Sequence, residues 1–230
     1  MLDPRKYSVY FQDFTGPLLA AATAAAATVV EAGISIVAST NATASVTTDA
    51  GAIDGALKFT TTAADNEQCL LQTPSGGFTM TSGKKFFMEA KFEITHVTGD
   101  IAQNEIFIGL ATFAATTSFY ASDGTARTFD AGIGWDSPDG TADLNFIVGV
   151  GDAYDTTAHV STYATATWYT LGIYYDGTTI TLYTNGVAVK TLTPDQIPTT
   201  IVGPTIYMKT GEAKVHTLLV DYLLVVKERS

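Results

Sequence analysis

The sequence predicts an all-β protein in which two antiparallel sheets pack face to face as a jelly-roll sandwich. Threonine is the first indication, because 38 of the 230 residues are Thr, and Val, Ile, Tyr and Phe are also common. These β-branched and aromatic side chains lose rotamer freedom in helices but pack well on a pleated sheet. Apolar residues also alternate with a period of two in many short runs, and turn signals separate those runs.

The clearest strand is Lys84–Thr95, in which apolar and polar residues alternate along the chain. This alternation is typical of a strand with one buried face and one face in water. Its apolar positions, which we expect on the buried face, are Met88, Ala90, Phe92 and Ile94. The same period predicts further strands within Asn104–Thr112, Ala142–Val150, Trp168–Tyr175 and the segment that begins at Ile180.

Pairs of Asp or Asn followed by Gly mark the turns between these strands. Such pairs favour the left-handed backbone that tight hairpins require. We therefore predict one hairpin across Tyr175–Ile180 and the next across Thr184–Val187. The four pairs are Asp123-Gly124, Asp139-Gly140, Asp176-Gly177 and Asn185-Gly186.

Two segments depart from simple alternation. Val215–Val226 is apolar on both faces, which predicts a strand inside the sandwich or, alternatively, one buried against another subunit. Pro17–Gly33 is rich in Ala, the best helix former, so residues 1–33 are expected to form an N-terminal arm or a short helix leading into the sandwich. No linker, charge run or long repeat divides the chain, so we predict one domain over residues 1–230.

The net charge is −11 and is concentrated in the middle of the chain. Phe92–Val189 contains eleven acidic residues and one basic residue, Arg127. Such a surface repels nucleic acid phosphates and anionic membranes, so neither is an expected partner. If the sandwich docks on a larger body, we expect the near-neutral terminal segments to make the contact and the acidic middle to face solvent.

Cysteine content and the N-terminus suggest where the protein is made. Cys69 is the one cysteine in the chain, so no intrachain disulfide forms and a buried position in a strand is expected. No apolar stretch approaches the roughly 20 residues that span a bilayer. The first residues lack the apolar middle of a secretory signal, so we expect the protein either to be made and used in the cytoplasm or to leave by another route, such as cell lysis.

Patterns that carry catalysis are missing, and we therefore expect a protein that is not an enzyme and has no cofactor. His96, His159 and His216 are far apart and form no zinc-binding motif. Sandwich-fold glucanases place acidic residues as E-x-D-x-x-E on one strand, whereas Glu89–Glu93 reads EAKFE, with Lys at the centre.

Aspartates in predicted loops are the candidate metal ligands. Asp136, Asp139 and Asp143 form one cluster, and Asp152 and Asp155 form another. Calcium takes carboxylate and carbonyl oxygens from loops, so calcium is the one metal that the sequence suggests. Aspartates are also typical turn-forming and solvating residues, and that alternative stays open.

Aromatic residues in or near loops are the candidate ligand contacts. Trp135, Tyr120 and Tyr154 are the main candidates, with Phe119 and Tyr163 beside them. Exposed aromatic rings stack on sugars, but in an all-β domain the same residues also serve as core or rim packing. Both interpretations remain open at this stage.

One hairpin carries a resemblance to a known fold family. Trp168–Gly177 reads WYTLGIYYDG and Ile180–Val187 reads ITLYTNGV. Together they resemble the W-x-x-L-x-I-x-Y-D-G and I-x-L-Y-x-N-G hairpin of concanavalin A-like and laminin-G-like domains. The resemblance implies a lectin-like jelly roll, and it implies carbohydrate binding, for host or glycan attachment, as one of two candidate functions.

The order of features over the first 110 residues carries a second resemblance, to lectin-fold capsid decoration (cement) proteins of tailed bacteriophages. It implies a non-enzymatic virion protein, assembled in the host cytoplasm, that binds the major capsid protein or another virion protein. It also implies a homo-oligomer, with a trimer expected because such proteins commonly sit on three-fold positions. The matching stretches are Phe11–Gly16, Ala56–Thr61, Asp65–Glu67, Gly83–Ala90 and Ile106–Leu110.

Overall fold

The computed structural model describes residues 6–13, 28–31, 34–38, 45–48, 55–73, 77–112, 119–120, 127–151 and 153–229. These residues form sixteen strands and a short 3-10 helix at Ile101–Gln103. In chain order the strands are β1 Tyr7–Asp13, β2 Thr28–Glu31, β3 Ile34–Ala38, β4 Ser45–Thr48, β5 Leu57–Thr60, β6 Gln68–Gln72, β7 Phe86–His96, β8 Asn104–Ala111, β9 Ala131–Ser137, β10 Asp143–Val150, β11 Ala153–Thr162, β12 Trp168–Tyr175, β13 Ile180–Thr184, β14 Val187–Leu192, β15 Gly203–Thr210 and β16 His216–Glu228.

The strands form two antiparallel sheets, which confirms the predicted jelly-roll sandwich. Sheet A has the order β14-β13-β12-β7-β16-β5-β4, and β1 pairs with the second half of β16. Sheet B has the order β11-β10-β9-β8-β15-β6-β3-β2. The last strand, β16, lies in the interior of sheet A because it pairs with β7, which is not its neighbour in sequence.

The core lies between the sheets and follows the predicted alternation. In β7 the positions predicted to be buried are confirmed, because their side chains are at most 1% exposed. They meet inward side chains of sheet B such as Ile108, Trp135 and Phe146 in one continuous cluster. Burying each large apolar side chain contributes about 1.5–3 kcal/mol, so this cluster is the main source of stability.

Both predicted hairpins are present. In the first, the Asp176 N–H donates to the Thr179 carbonyl at 3.1 Å, and the Asp176 carboxylate accepts from the Thr178 N–H at 2.8 Å. In the second, Asn185 and Gly186 have φ angles of 51° and 76°, the left-handed pair that a tight turn requires. The Asp123-Gly124 pair lies outside the described residues.

The last strand corrects one prediction. β16 is central in sheet A, but only one of its faces is in the core, where Leu218, Val220, Leu223 and Val225 are fully buried. The other face is half-exposed, so the predicted cover on both sides is wrong for the chain by itself. The register shifts between Val220 and Tyr222, which leaves Asp221 as an extra residue on the outer side.

The N-terminal region pairs with this strand. β1 runs antiparallel to β16, with Val9 opposite Val226 and Phe11 opposite Leu224. The short helix predicted within Pro17–Gly33 falls largely outside the described residues, and its described end, β2, is a strand. Cys69 is fully buried in β6, as predicted.

Candidate binding faces

The outer face of sheet B is covered by the chain's own aromatic side chains. Phe107 projects from β8, and its ring lies 5.1 Å from the rings of both Phe119 and Phe129, which belong to the connection between β8 and β9. Phe119 and Phe129 stack at 4.4 Å, and Phe119 also meets Tyr207 at 5.3 Å. These rings are at most 4% exposed, so this face offers a ligand no open surface at the cluster.

Ionised side chains are buried beside these rings. The Arg127 guanidinium donates from Nε to Asp136 Oδ2 at 3.1 Å, and the Tyr120 hydroxyl donates to the same oxygen at 3.2 Å. Burial raises the pKa of Asp136, although Arg127 and Tyr120 act in the opposite direction. A second ion pair joins Lys209 Nζ to Glu105 Oε2 at 3.2 Å, with side chains 3% and 0% exposed.

The three predicted calcium ligands do not form one site. Asp136 is directed to Arg127, whereas Asp143 accepts from the Thr141 hydroxyl at 2.6 Å and pairs with His159 Nδ1 at 2.6 Å. Across the described ranges, no three His, Cys, Asp or Glu side chains converge as a metal ion requires. In this structure two of the three carboxylates, Asp136 and Asp143, have other partners, and calcium binding by Asp136, Asp139 and Asp143 stays a prediction. Asp152 lies outside the described residues.

The aromatic candidates are mostly core residues. Trp135 is 1% exposed between the sheets with its ring edge-on to Phe146, and Tyr120 is fully buried under the sheet B cluster. The prediction that these two rings contact a ligand is wrong for this conformation, because neither has an open face. Tyr154 is half-buried, and its hydroxyl donates to the Phe129 carbonyl at 2.6 Å. Phe119 and Tyr163 are buried as well.

The outer face of sheet A is the open one, and the sequence analysis did not single it out. Its aromatic side chains are half-exposed or exposed and come from β1, β7, β12, β13 and β16. For part of this set the signal was present in the sequence, because Phe87, Trp168 and Tyr174 alternate with the apolar positions of predicted strands. They are Tyr7, Phe11, Phe87, Trp168, Tyr174, Tyr183 and Tyr222.

One half of this face is formed by Glu89, Lys91, Trp168, Asp221 and Tyr222, and we call it the polar-aromatic region. In it, aromatic rings lie beside paired charged side chains. Lys91 Nζ donates to Asp221 Oδ2 at 2.5 Å and lies 5.0 Å from the centre of the Trp168 ring. The Tyr222 hydroxyl donates to Glu89 Oε1 at 2.7 Å. Burial, followed by the hydrogen bond and charge of Glu89, raises the pKa of Tyr222, so the phenol remains a donor at neutral pH.

The other half is an apolar groove of about 480 Å³. Its lining is formed by Tyr7, Lys85, Phe86, Phe87, Tyr174, Leu224 and Val226. Val9 and Phe11 of β1 continue the apolar surface and are 52% and 56% exposed. An exposed apolar surface rimmed by polar residues is typical of an interaction site.

Comparison with solved structures finds this jelly roll in lectin-like and polysaccharide lyase proteins. The carbohydrate recognition domain of Emp47p superposes with a TM-score of 0.58 at 11% identity, over 98% of each chain. A protein of unknown function from Shewanella oneidensis MR-1 gives 0.57 at 14% identity, over 97% of this chain and 87% of that one. The endo-β-1,4-glucuronan lyase of Trichoderma reesei gives 0.52 at 13%, over 79% and 86%.

These likenesses confirm the predicted jelly-roll fold. No protein family model matches the sequence. No curated protein matches it in sequence either. In the part of the chain that the structure describes, no helix is long and apolar enough to cross a membrane.

Proposed function

We propose that the protein is a non-catalytic, lectin-like domain that binds carbohydrate through the polar-aromatic region of sheet A. The observation that carries the proposal is the Trp168 ring, half-exposed on an open sheet and flanked by the Lys91–Asp221 ion pair. Sugars present an apolar face of C–H groups and a rim of hydroxyls. A rigid aromatic ring beside fixed charged donors and acceptors matches both features.

The surrounding residues favour recognition of a flat, polar ligand. Lys91 and Asp221 are each partly exposed, at 37% and 22%, so they keep hydrogen-bonding capacity toward solvent. Tyr222 and Glu89 hold each other in place and so need little ordering when a ligand arrives. The Emp47p domain with the same fold is a carbohydrate recognition domain, which supports the same class of ligand.

Two of the carboxylates on this face, Glu89 and Glu93, do not match a hydrolytic pair. They are four residues apart on β7, which separates them by about 14 Å at about 3.4 Å per residue. Glycosidase carboxyl pairs lie about 5 to 9.5 Å apart across the scissile bond. Burial raises the pKa of Glu93, but its partner is too distant for a two-carboxylate mechanism.

The proposal is tested by glycan-array binding of the wild type, Trp168→Ala and Trp168→Phe. We expect the Ala variant to lose about two- to tenfold in affinity, since an aromatic stacking contact contributes about 0.5–1.5 kcal/mol, and the Phe variant to retain most of it. Ile201→Ala, at an exposed position beside sheet B, is the matched control. Equal binding by all four proteins, or no glycan bound by the wild type, would rule the proposal out.

A second candidate function is a virion structural protein, either a capsid decoration protein or another particle component. The observation that favours it is the apolar groove and the exposed Val9 and Phe11, which suit attachment to a larger body. Mass spectrometry of purified particles tests it directly. A decoration role requires this chain at many copies per particle, and its absence would exclude that role.

A further inference from the structure

The apolar groove lies at the one end of the sandwich where basic side chains collect. The strand ends that meet there are β1, β7 and β16: the Arg229 N–H donates to the Lys6 carbonyl at 2.7 Å, and the Glu228 N–H donates to the Lys85 carbonyl at 2.8 Å. The basic residues of this group, the basic rim, are Lys6, Lys84, Lys85, Lys227 and Arg229. Glu228 lies among them, and two further acidic residues, Asp176 and Asp195, lie at the same end in the loops beside Ser82 and Gly83.

The positive charge of this rim is only partly neutralised. Lys84 Nζ lies 3.7 Å from Glu228 Oε1, and Lys227 Nζ donates to the neutral Thr79 hydroxyl at 2.9 Å. Lys85 lines the groove, is exposed, and forms no ion pair within the described residues. The groove therefore joins an apolar surface to a local excess of positive charge.

The rest of the molecule has the opposite character. The chain carries a net charge of −11. At the far end of β7, Asp100 and Glu212 are held together by the Asp100 N–H, which donates to Glu212 Oε1 at 2.6 Å. The groove end therefore carries a small excess of positive charge on a molecule that is acidic overall. A partner attracted to that end must itself be negative.

We infer that the groove is the docking site for an acidic protein segment that inserts an apolar side chain between Phe87, Tyr174 and Val226 and pairs its carboxylates with Lys84 and Lys85. An apolar anchor in a pocket with charges at its rim is the usual arrangement of a protein interface. The charge excess selects an acidic partner, and the exposed apolar surface of Val9 and Phe11 extends the contact area. This site is separate from the carbohydrate proposal, which rests on Trp168 and Lys91.

The experiment uses a fluorescent random Glu/Tyr copolymer as the acidic apolar probe, with poly-Glu and a Lys/Tyr copolymer for comparison. Binding to the full chain is followed by fluorescence anisotropy at low and high salt. The variants are Lys84→Glu/Lys85→Glu, which reverses the rim charge, and Val9→Ser/Phe11→Ser, which removes exposed apolar surface. Lys190→Glu, an exposed charge reversal on β14, is the matched control.

We expect the Glu/Tyr copolymer to bind at low salt and both double variants to weaken it about tenfold or more, with Lys190→Glu unchanged. Poly-Glu should bind more weakly because it lacks the apolar anchor, the Lys/Tyr copolymer should not bind, and salt should weaken binding. No binding of the Glu/Tyr copolymer, or equal binding by the charge-reversed protein, overturns the inference.

If the groove instead bound a second copy of the chain or a membrane, the measurements would differ from those expected for an acidic segment. Self-association of the protein alone in sedimentation, abolished by the same variants, would assign the groove to a second copy and overturn the acidic-partner inference. Binding to phosphatidylserine vesicles as tight as binding to the copolymer would assign it to a membrane and overturn the inference as well. Glycan binding should be unaffected by Lys84→Glu/Lys85→Glu, so failure of the carbohydrate proposal and failure of this one are told apart.

Discussion

At the scale of single residues, Asp136 is a carboxylate that the fold buries in an ion pair. Its carboxylate is fully buried, and its charge is balanced by Arg127. Removing one partner of a buried ion pair leaves an uncompensated charge, which costs about 3–5 kcal/mol. We therefore expect Arg127→Met to lower the free energy of unfolding by about 3 kcal/mol at neutral pH, measured by urea denaturation.

The companion variant separates charge from packing. In Arg127→Met/Asp136→Asn no unpaired charge is left buried at this site, so this double variant should be more stable than Arg127→Met alone. A double variant at least as unstable as the single one would show that Arg127 acts through its packing and not through its charge.

The buried side chain of His216 leads to a prediction of how the free energy of unfolding depends on pH. Its ring is buried, and burial lowers its pKa below the ordinary value of 6.5, although Glu212 and Asp100 act in the opposite direction. His96 lies directly opposite on β7 with ring centres 6.0 Å apart. The unfolded chain therefore binds a proton more readily than the folded one. The stability that neutral His216 contributes is present above about pH 6.5 and is lost as the pH falls toward the lowered folded value.

Urea denaturation between about pH 7.5 and pH 5 measures this dependence. His216→Gln should flatten the fall in unfolding free energy, because the group that takes up the proton on unfolding is gone. The matched control is His159→Gln, since the His159 side chain is 74% exposed. An unchanged slope in His216→Gln would assign the dependence to other groups.

At the scale of strands, alternation predicted the fold well where one face meets water. β7 alternates between buried and half-buried positions along nearly its whole length, as its sequence indicated. β8 does not, because all eight of its residues are buried. The cover over its outer face is provided by Phe119 and Phe129, which follow β8 in the chain. The alternation of residues within a strand does not show which other segments pack over it. The sequence therefore could not predict that the outer face of sheet B is covered at β8.

Close packing of β8 against β9 gives a prediction at this scale. Gly109 and Gly134 are paired, and a Cβ on Gly134 would lie 2.7 Å from the Ile108 carbonyl oxygen and 2.9 Å from Gly109 Cα. Backbone atoms cannot move aside cheaply, so Gly134→Ala should destabilise the fold by about 1–3 kcal/mol. Gly77→Ala, where the added Cβ meets nothing within 4 Å, is the control and should change stability by less than about 0.5 kcal/mol in thermal denaturation.

At the scale of the whole molecule, the class of fold was predictable and the candidate site was not. The polar-aromatic region joins residues far apart in the chain, with Lys91 and Asp221 separated by 130 positions. Their contact exists because β16 returns to pair with β7, a long-range pairing that no local pattern specifies. The loop aspartates and aromatics drew attention because of their residue types, but Trp135 and Asp136 are buried by the fold.

The acidic residues in the middle of the chain do not all lie on the surface. The middle of the chain was expected to face solvent, yet Glu105 and Asp136, both within it, are buried in ion pairs. The terminal segments supply part of the apolar groove and of the basic rim, through β1 and the end of β16, and β7, with the residues just before it, and β12 supply the rest. Docking through these segments, in a trimer or another assembly, remains a prediction that the copolymer and particle experiments address.

Cys69 has a practical consequence for such experiments. It is the one thiol of the chain, it is fully buried in β6, and burial raises its pKa to about 12. The thiolate is the form that reacts with maleimides, so the native protein should be almost inert to them. A cysteine introduced at a chosen surface point, such as exposed Val97, would then be the only reactive handle. The molecule can be tethered to a sensor surface in a defined orientation, with either its rings or its basic end toward the solution.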